Sequence, residues 1–95
     1  MKIVRTRRYL TELAAIGDFI AELNPRAAYR IVNQIDGGAE RLLSRNRFLG
    51  RRGDIEGTRE LVVTGTPYIV AYRVTETRVE LLFVQHGARE WPSDA

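Results

Sequence analysis

Residues 68–92 read YIVAYRVTETRVELLFVQHGAREWP, and this stretch decides the fold. Two runs rich in β-branched and aromatic residues, 68–74 and 78–85, flank a three-residue turn at 75–77. That pattern predicts a β-hairpin. Residues 81–84 are apolar at consecutive positions, so both faces of the second strand should be covered. We therefore expect this strand to lie in the middle of a sheet.

Two amphipathic helices are predicted ahead of the hairpin. Thr6 can cap the first helix and Asn24 can cap the second. Pro25 can begin the second helix, because the N–H that proline lacks would have no hydrogen-bond partner at the first helical position. The first helix carries an apolar stripe at helical spacing, made of Tyr9, Leu13, Ile16, Ile20 and Leu23. The second carries a similar stripe, made of Ala28, Ile31, Ile35, Ala39 and Leu42. We expect its Gly37–Gly38 pair to mark a kink or a close helix contact, and its end to fall near residues 44–47.

The remaining segments complete the order β-α-α-β-β-β. Ile3 and Val4 predict a short first strand, residues 48–57 predict a loop, and residues 59–63 predict the second strand. Short turns join the last three strands, which favours an antiparallel meander. The sequence therefore predicts one α+β domain over residues 1–95, with a helical hairpin packed on a small antiparallel sheet.

Composition excludes several classes of protein. The chain has 95 residues, of which 44% are hydrophobic and 28% charged, as in ordinary soluble domains. No apolar run reaches the roughly 20 residues of a membrane span, and residues 1–5 do not resemble a signal peptide. With no cysteine and one histidine, neither a disulfide framework nor a metal site is expected. No cofactor-binding motif occurs, so we expect a cytoplasmic protein without membrane contact or cofactor.

Charge is distributed unevenly along the chain. Residues 1–53 contain eleven basic and five acidic groups, whereas residues 54–95 contain four basic and seven acidic groups. Fourteen of the fifteen basic residues are arginine, whose planar guanidinium pairs with phosphates and carboxylates. This asymmetry favours a nucleic acid or an acidic protein as partner, although a codon bias toward arginine also explains the arginine content.

His86, Arg89 and Arg59 form the candidate catalytic set. A histidine exchanges protons near neutral pH, and arginines stabilise a phosphate. Together they would serve cleavage of an RNA phosphodiester, which requires a proton acceptor, a proton donor and charge stabilisation. Alternatively, His86 caps the sheet by hydrogen bonding to backbone and Arg89 pairs with an acidic group.

A second group of residues could bind RNA or a protein target. Arg73, Arg51 and Arg52 could hold phosphate, and Trp91 could stack on a base or anchor a partner. Alternatively, the arginines are scattered solubility charges and Trp91 closes the core. Tyr9 and Tyr29 could also stack on bases, but their helical positions favour core packing.

The strand order and three segments resemble the RelE/ParE toxin superfamily over nearly the whole chain. The segments are Arg59-Glu60-Leu61, the tyrosine-flanked strand 68–74, and the ending 84–92 with His86-Gly87-Ala88-Arg89. The resemblance implies a RelE/ParE-like fold and a bacterial growth-inhibiting toxin, often labelled a plasmid stabilisation protein. It also implies a cognate antitoxin partner that wraps and silences the toxin.

The superfamily divides into two modes of action. RelE-like members cut mRNA on the ribosome with basic residues and a C-terminal tyrosine, whereas ParE-like members inhibit DNA gyrase. In this chain Arg89 matches a RelE-like arginine and Arg59 matches one loosely, but Ile69 stands where another arginine is expected, and residues 93–95 contain no tyrosine. We therefore expect a ParE-like gyrase inhibitor. The alternatives are a ribosome-dependent mRNA endonuclease using His86 and Arg89, and an inactive remnant or nucleic-acid-binding module.

Overall fold

The computed structural model describes residues 1–87, which form two helices and five strands. In chain order these elements are β1 (Lys2–Arg5), α1 (Arg7–Ala21), α2 (Pro25–Arg45), β2 (Arg51–Arg52), β3 (Arg59–Val62), β4 (Tyr68–Val74) and β5 (Arg78–His86). The predicted α+β class and the predicted β-α-α-β-β-β order are both confirmed, with one additional short strand.

The five strands form one mixed sheet in the order β1-β5-β4-β3-β2. As expected, β5 lies inside the sheet, between β1 and β4. The predicted antiparallel arrangement holds for β2 to β5, but β1 pairs with β5 in parallel. Tight turns fix the antiparallel direction of consecutive strands. No turn connects β1 to its partner β5, so the direction of β1 could not be derived from a turn.

Strand β2 corrects the prediction of a loop over residues 48–57. Arg51 pairs with Glu60 and Arg52 pairs with Arg59, so the arginine pair forms the outer edge of the sheet. A strand of two residues is too short to show the alternation that identifies strands in a sequence.

The predicted helix starts are confirmed. The Thr6 side chain accepts a hydrogen bond from the Tyr9 N–H, and the Asn24 side chain accepts one from the Ala27 N–H. Each cap satisfies a backbone donor that has no partner inside its helix. The Thr6 hydroxyl also donates to the carbonyl of Leu81, so the same side chain ties the start of α1 to the central strand β5.

The core lies between the helical hairpin and one face of the sheet. Tyr9 and Ile35 from the helices pack with Val70, Tyr72 and Leu81 from the sheet, and all are fully buried. The prediction that Tyr9 packs in the core is therefore confirmed.

Two residues that were predicted to pack in the core, Leu23 and Tyr29, are exposed instead. Leu23 is 83% exposed because α1 ends at Ala21, before the stripe reaches that residue. Tyr29 is 77% exposed because it follows the buried Ala28 directly and thus points about 100° away from it on the helix. Both residues lie near the tip of the helical hairpin, where the sheet does not cover them.

The Gly37–Gly38 pair causes no break in α2, which is continuous over Pro25–Arg45. A Cβ at position 38 would lie 3.0 Å from the Val63 Cγ1, so this glycine marks a close approach of α2 to the sheet. A Cβ at position 37 would meet no atom within 4 Å. The expected close contact therefore exists, but it joins α2 to the sheet and involves only one glycine.

A partly buried polar cluster joins β1 to both helices. The Arg5 guanidinium donates to both Asp36 carboxylate oxygens at 2.8 and 2.9 Å, and the Tyr9 hydroxyl donates to the same carboxylate at 2.9 Å. Burial raises the pKa of Asp36, but the hydrogen bonds from Arg5 and Tyr9 outweigh it and hold the pKa below its usual value. Burial, followed by the bond to Asp36, raises the pKa of Tyr9.

None of the helices in residues 1–87 is long and apolar enough to cross a membrane.

Candidate functional site

The candidate site is an arginine-rich surface at the outer edge of the sheet. Here the segment after α2 passes over β2 and β3, and brings together Arg47, Phe48, Arg51, Arg52 and Arg59. We call these five residues the arginine surface. Three of the residues predicted from the sequence come together at this edge: Arg51, Arg52 and Arg59. Arg52 and Arg59 share the helix side of the sheet, whereas Arg51 points to the other side with Glu60.

Phe48 lies at the centre of the arginine surface. The guanidinium carbons of Arg47 and Arg59 lie 4.8 and 5.2 Å from the centre of its ring, within the range of cation–π attraction. Arg59 also donates to the backbone carbonyls of Phe48 at 3.2 Å and Gly50 at 2.8 Å. Arg59 therefore holds the segment between α2 and β2 in place. The role of Phe48 in this arrangement was not predicted from the sequence.

Gly50 anchors the same segment to the core. Its N–H donates to the Tyr72 hydroxyl at 2.8 Å. A Cβ at this position would lie 2.7 Å from the Glu60 carbonyl oxygen and 2.7 Å from the Tyr72 ring, so only glycine fits. Burial raises the pKa of Tyr72, and the Gly50 N–H and the charge of Arg59 only partly offset this. The hydroxyl is therefore neutral at physiological pH and is held by the Gly50 N–H.

Arg51 and Arg52 differ in their surroundings. Arg51 pairs with the Glu60 carboxylate at 3.1 Å, and Glu60 is only 6% exposed. Arg52 lies directly opposite Arg59 in the β2–β3 ladder. Like charges in opposite positions of a ladder repel, so this pair is stabilised by any anion that binds beside it.

Arg73 does not lie beside Arg52 and Arg59. On β4, Tyr72 faces the helices, and its ladder partner Arg59 lies on the same side of the sheet. Arg73 is the next residue after Tyr72. Since neighbouring residues of a strand point to opposite faces, Arg73 and Arg59 lie on opposite faces. Arg73 instead forms an ion pair with Glu80 at 3.7 Å.

His86 lies at the far end of the sheet from Arg59. It ends β5 opposite Tyr68, whose ring meets the imidazole edge-on with 5.4 Å between ring centres. Arg59 lies opposite Tyr72, four residues further along β4. The two side chains are thus separated by about 13 Å along the sheet and about 10 Å across it.

Arg89 and Trp91 lie outside the described residues, so their predicted roles stay predictions.

The arginine surface can bind anionic groups but contains no group able to transfer protons near neutral pH. The single histidine of the chain lies elsewhere, and arginine remains protonated. Within residues 1–87 no group of three or more potential ligands could hold a metal ion. The geometry of this surface therefore favours recognition of an acidic partner or phosphate.

Comparison with known proteins gives consistent matches across the chain. The family model described as "ParE toxin of type II toxin-antitoxin system, parDE" matches residues 3–91. The protein Y4kP of Sinorhizobium fredii is 42% identical over 87 residues, which cover 92% of this chain and 88% of that protein. Toxin RelE2 of Caulobacter vibrioides is 33% identical over 90 residues, which cover 93% of this chain and 97% of that protein.

A solved structure also shares the fold. A chain of the chromosomal ParDE toxin–antitoxin system from P. aeruginosa superposes with a TM-score of 0.82 at 26% identity, and the match covers 90% of this chain and 95% of that one. The names of the relatives include both ParE and RelE, so they agree on a toxin and differ in its subgroup.

Proposed function

The chain belongs to the ParE toxin family of type II toxin–antitoxin systems, and from this membership we propose that it arrests bacterial growth by inhibiting DNA gyrase. In this proposal the toxin acts by binding its target and does not cut RNA. A toxin–antitoxin module implies a cognate antitoxin as the first partner, and we propose that its binding silences the toxin.

The observation that carries this proposal is the separation of His86 from Arg59. Cleavage of a phosphodiester requires the proton-transfer group and the charge-stabilising group to reach the same phosphate. In this chain β4 and four residues of strand length separate the two. Arg73 points to the opposite face and is paired with Glu80. The arginine surface, by contrast, is well suited to hold a protein or nucleic acid by its charge.

A supercoiling assay with purified gyrase tests the proposal. Increasing amounts of the toxin should inhibit supercoiling of relaxed plasmid, and the same amounts of toxin–antitoxin complex should not. The complex is the matched control because it contains the same chain with its partner bound. Supercoiling that continues unchanged at a high excess of free toxin would count against gyrase as the target.

The second candidate function is ribosome-dependent cleavage of mRNA, with His86 as the general acid or base and Arg89 beside it. The 33% identity with Toxin RelE2 favours it. If this activity exists, substitution of His86 should abolish new cuts in translated mRNA, whereas substitution of Arg73 should leave them in place.

A further inference from the structure

One side of α1 carries a stripe of charged and apolar side chains outside the core. The stripe follows intervals of three or four residues, which places its members on one side of the helix. It consists of Arg8, Glu12, Ala15, Phe19 and Glu22, and we call these five residues the α1 flank. Glu22 is the C-cap of α1 and keeps helical backbone angles. Phe19 is 67% exposed, so the flank presents a large apolar side chain to solvent.

Within residues 1–87, the α1 flank faces neither the core nor α2. Tyr9 and Leu13 are the residues of α1 that pack in the core. A Cβ at Gly17 would lie 2.9 Å from the Val32 Cγ2, so the Gly17 side of the helix faces α2. Phe19 comes two residues later and lies about 200° further around the helix. Phe19 therefore points away from α2.

Glu12 places the α1 flank at a distance from the arginine surface. Its carboxylate accepts a hydrogen bond from the Val84 N–H at 3.0 Å, so the flank runs beside β5. In the sheet, β4 separates β5 from β3 and β2, the two strands of the arginine surface. A partner that binds the α1 flank therefore leaves the arginine surface open.

The charges of α1 are arranged against the dipole of the helix. Arg7 and Arg8 occupy the first turn, where the dipole favours acidic groups, and Asp18 and Glu22 lie at the end, where it favours basic groups. The ion pair of Arg8 with Glu12 at 3.1 Å offsets part of this effect. A second helix with the same order of charges, laid antiparallel on the flank, would bring its acidic end to the basic end of α1 and its basic end to the acidic end.

We propose that the α1 flank binds a second copy of this chain, so that two α1 helices pack antiparallel about a two-fold axis at Ala15. Arg8 of each chain then meets the partner's Glu22, because both residues lie seven positions from Ala15. Phe19 packs on the partner's Ala15 and on the methylene groups of the partner's Glu12. The small side chain of Ala15 allows the helix axes to approach to about 8 Å.

Charge complementarity identifies a second copy as the occupant. The flank is basic at one end and acidic at the other, and a two-fold contact matches such a surface to itself. A nucleic acid would be repelled by Glu12 and Glu22, and a membrane surface favours a helix whose polar face is rich in lysine and arginine. The dimer exposes two arginine surfaces, so it can engage a target through both.

Sedimentation velocity of the purified free chain, from low micromolar to several hundred micromolar concentration, tests the proposal. The wild type should change from monomer to dimer across this range. Phe19→Glu should weaken the association by about tenfold or more, equivalent to about 1.4 kcal/mol. Tyr29→Glu is the matched control, because Tyr29 is also an exposed aromatic residue but lies on α2. It should change the dissociation constant by less than about twofold.

Reversal of the charges at the ends of the flank tests its antiparallel orientation. Glu22→Arg places an arginine against the partner's Arg8 and should weaken the dimer several-fold. The stability of the monomer should not fall, because a basic group suits the end of α1. Addition of Arg8→Glu should restore association, since the pair forms again with the signs exchanged.

Ala15→Cys tests the position of the two-fold axis. The chain contains no cysteine, so this variant has a single thiol. At the axis the two thiols should lie close enough for a disulfide, and mild oxidation should link the chains. Ser44→Cys, at an exposed position of α2, is the matched control and should remain largely unlinked.

Three results would overturn the inference. They are a wild-type chain that stays monomeric throughout the concentration range, a dimer that Phe19→Glu leaves intact, and a disulfide that forms equally fast in Ser44→Cys and Ala15→Cys. A monomeric chain whose Phe19→Glu variant no longer binds the protein encoded beside this gene would assign the flank to that protein instead. None of these measurements depends on growth arrest or on gyrase, so this inference and the proposed function can fail independently.

Discussion

The backbone N–H of Gly50 donates to the hydroxyl of Tyr72 at 2.8 Å, and this bond ties the arginine surface to the core. Tyr72 is fully buried between the sheet and the helices. Gly50 lies between Phe48 and Arg51 in the chain, so this bond fixes the backbone that carries both side chains. The site therefore depends on a residue that carries no side chain.

Gly50→Ala should destabilise the protein by about 1 to 3 kcal/mol, because the added methyl group meets backbone and ring atoms at 2.7 Å. Gly37→Ala is the matched control, since a methyl group there meets no atom within 4 Å and alanine favours the helix. It should stabilise the protein by up to about 1 kcal/mol. Urea denaturation measures the free energy of unfolding of both variants. Equal changes in the two would contradict the close packing described around Gly50.

Arg51→Ala and Arg52→Ala should have opposite effects although the residues are adjacent. Loss of Arg51 leaves the buried Glu60 carboxylate without its ion pair, which should cost about 1 to 3 kcal/mol. Loss of Arg52 removes a repulsion with Arg59 and should be neutral or stabilising by a few tenths of a kcal/mol, to judge from roughly 0.2 to 1 kcal/mol for cross-strand pairs. Both effects are measured as changes in the free energy of unfolding at neutral pH. A larger loss of stability in Arg52→Ala than in Arg51→Ala would contradict the account.

Asp36→Asn should weaken the fold near neutral pH by about 1 to 2 kcal/mol, because it removes the charge that Arg5 and Tyr9 stabilise on a partly exposed group. The pKa of Asp36 in the folded state is lowered from 3.8. Its stabilising effect is therefore complete above the pKa of the unfolded chain and is lost as the pH falls through the folded value.

The pH dependence gives the test of that assignment. The difference in unfolding free energy between wild type and Asp36→Asn should be constant above about pH 5 and should shrink toward pH 2. Asp18→Asn, at an exposed position of α1, is the control. A wild-type advantage over Asp36→Asn that grows as the solution is acidified would contradict the assignment.

His86→Gln should remain toxic on induction, because the proposed mode of action requires no proton transfer by His86. Glutamine keeps polar atoms at the end of β5 and so limits the structural change. Growth curves after induction in a bacterium lacking the antitoxin measure toxicity, and an immunoblot confirms equal amounts of the two proteins. Loss of toxicity at equal, soluble expression would support the nuclease alternative.

Most of the fold could be predicted from the sequence, because its signals are local. Thr6 and Asn24 are helix caps with recognisable neighbours, and the apolar run at residues 81–84 identifies the buried strand. The parallel pairing of β1 with β5 could not be derived in this way, since it joins segments over seventy residues apart in the chain. Strand β2 was missed because two residues show no periodicity.

The site was less predictable because it depends on tertiary contacts. Arg51, Arg52 and Arg59 were singled out from the sequence, but their different surroundings follow from the register of β2 against β3. The separation of Arg59 from His86 also follows from strand pairing. Gly50 has no sequence signal for its position, since its close approach to Glu60 and Tyr72 is visible only once the sheet is assembled.

The central claim, that this toxin arrests growth without cutting RNA, is tested most directly by mapping mRNA 5′ ends shortly after induction of the wild-type chain alone. The account predicts that growth stops while translated mRNA acquires no new 5′ ends. New ends inside translated codons that appear with the wild type and are absent with His86→Gln would contradict it and make the protein a ribosome-dependent nuclease.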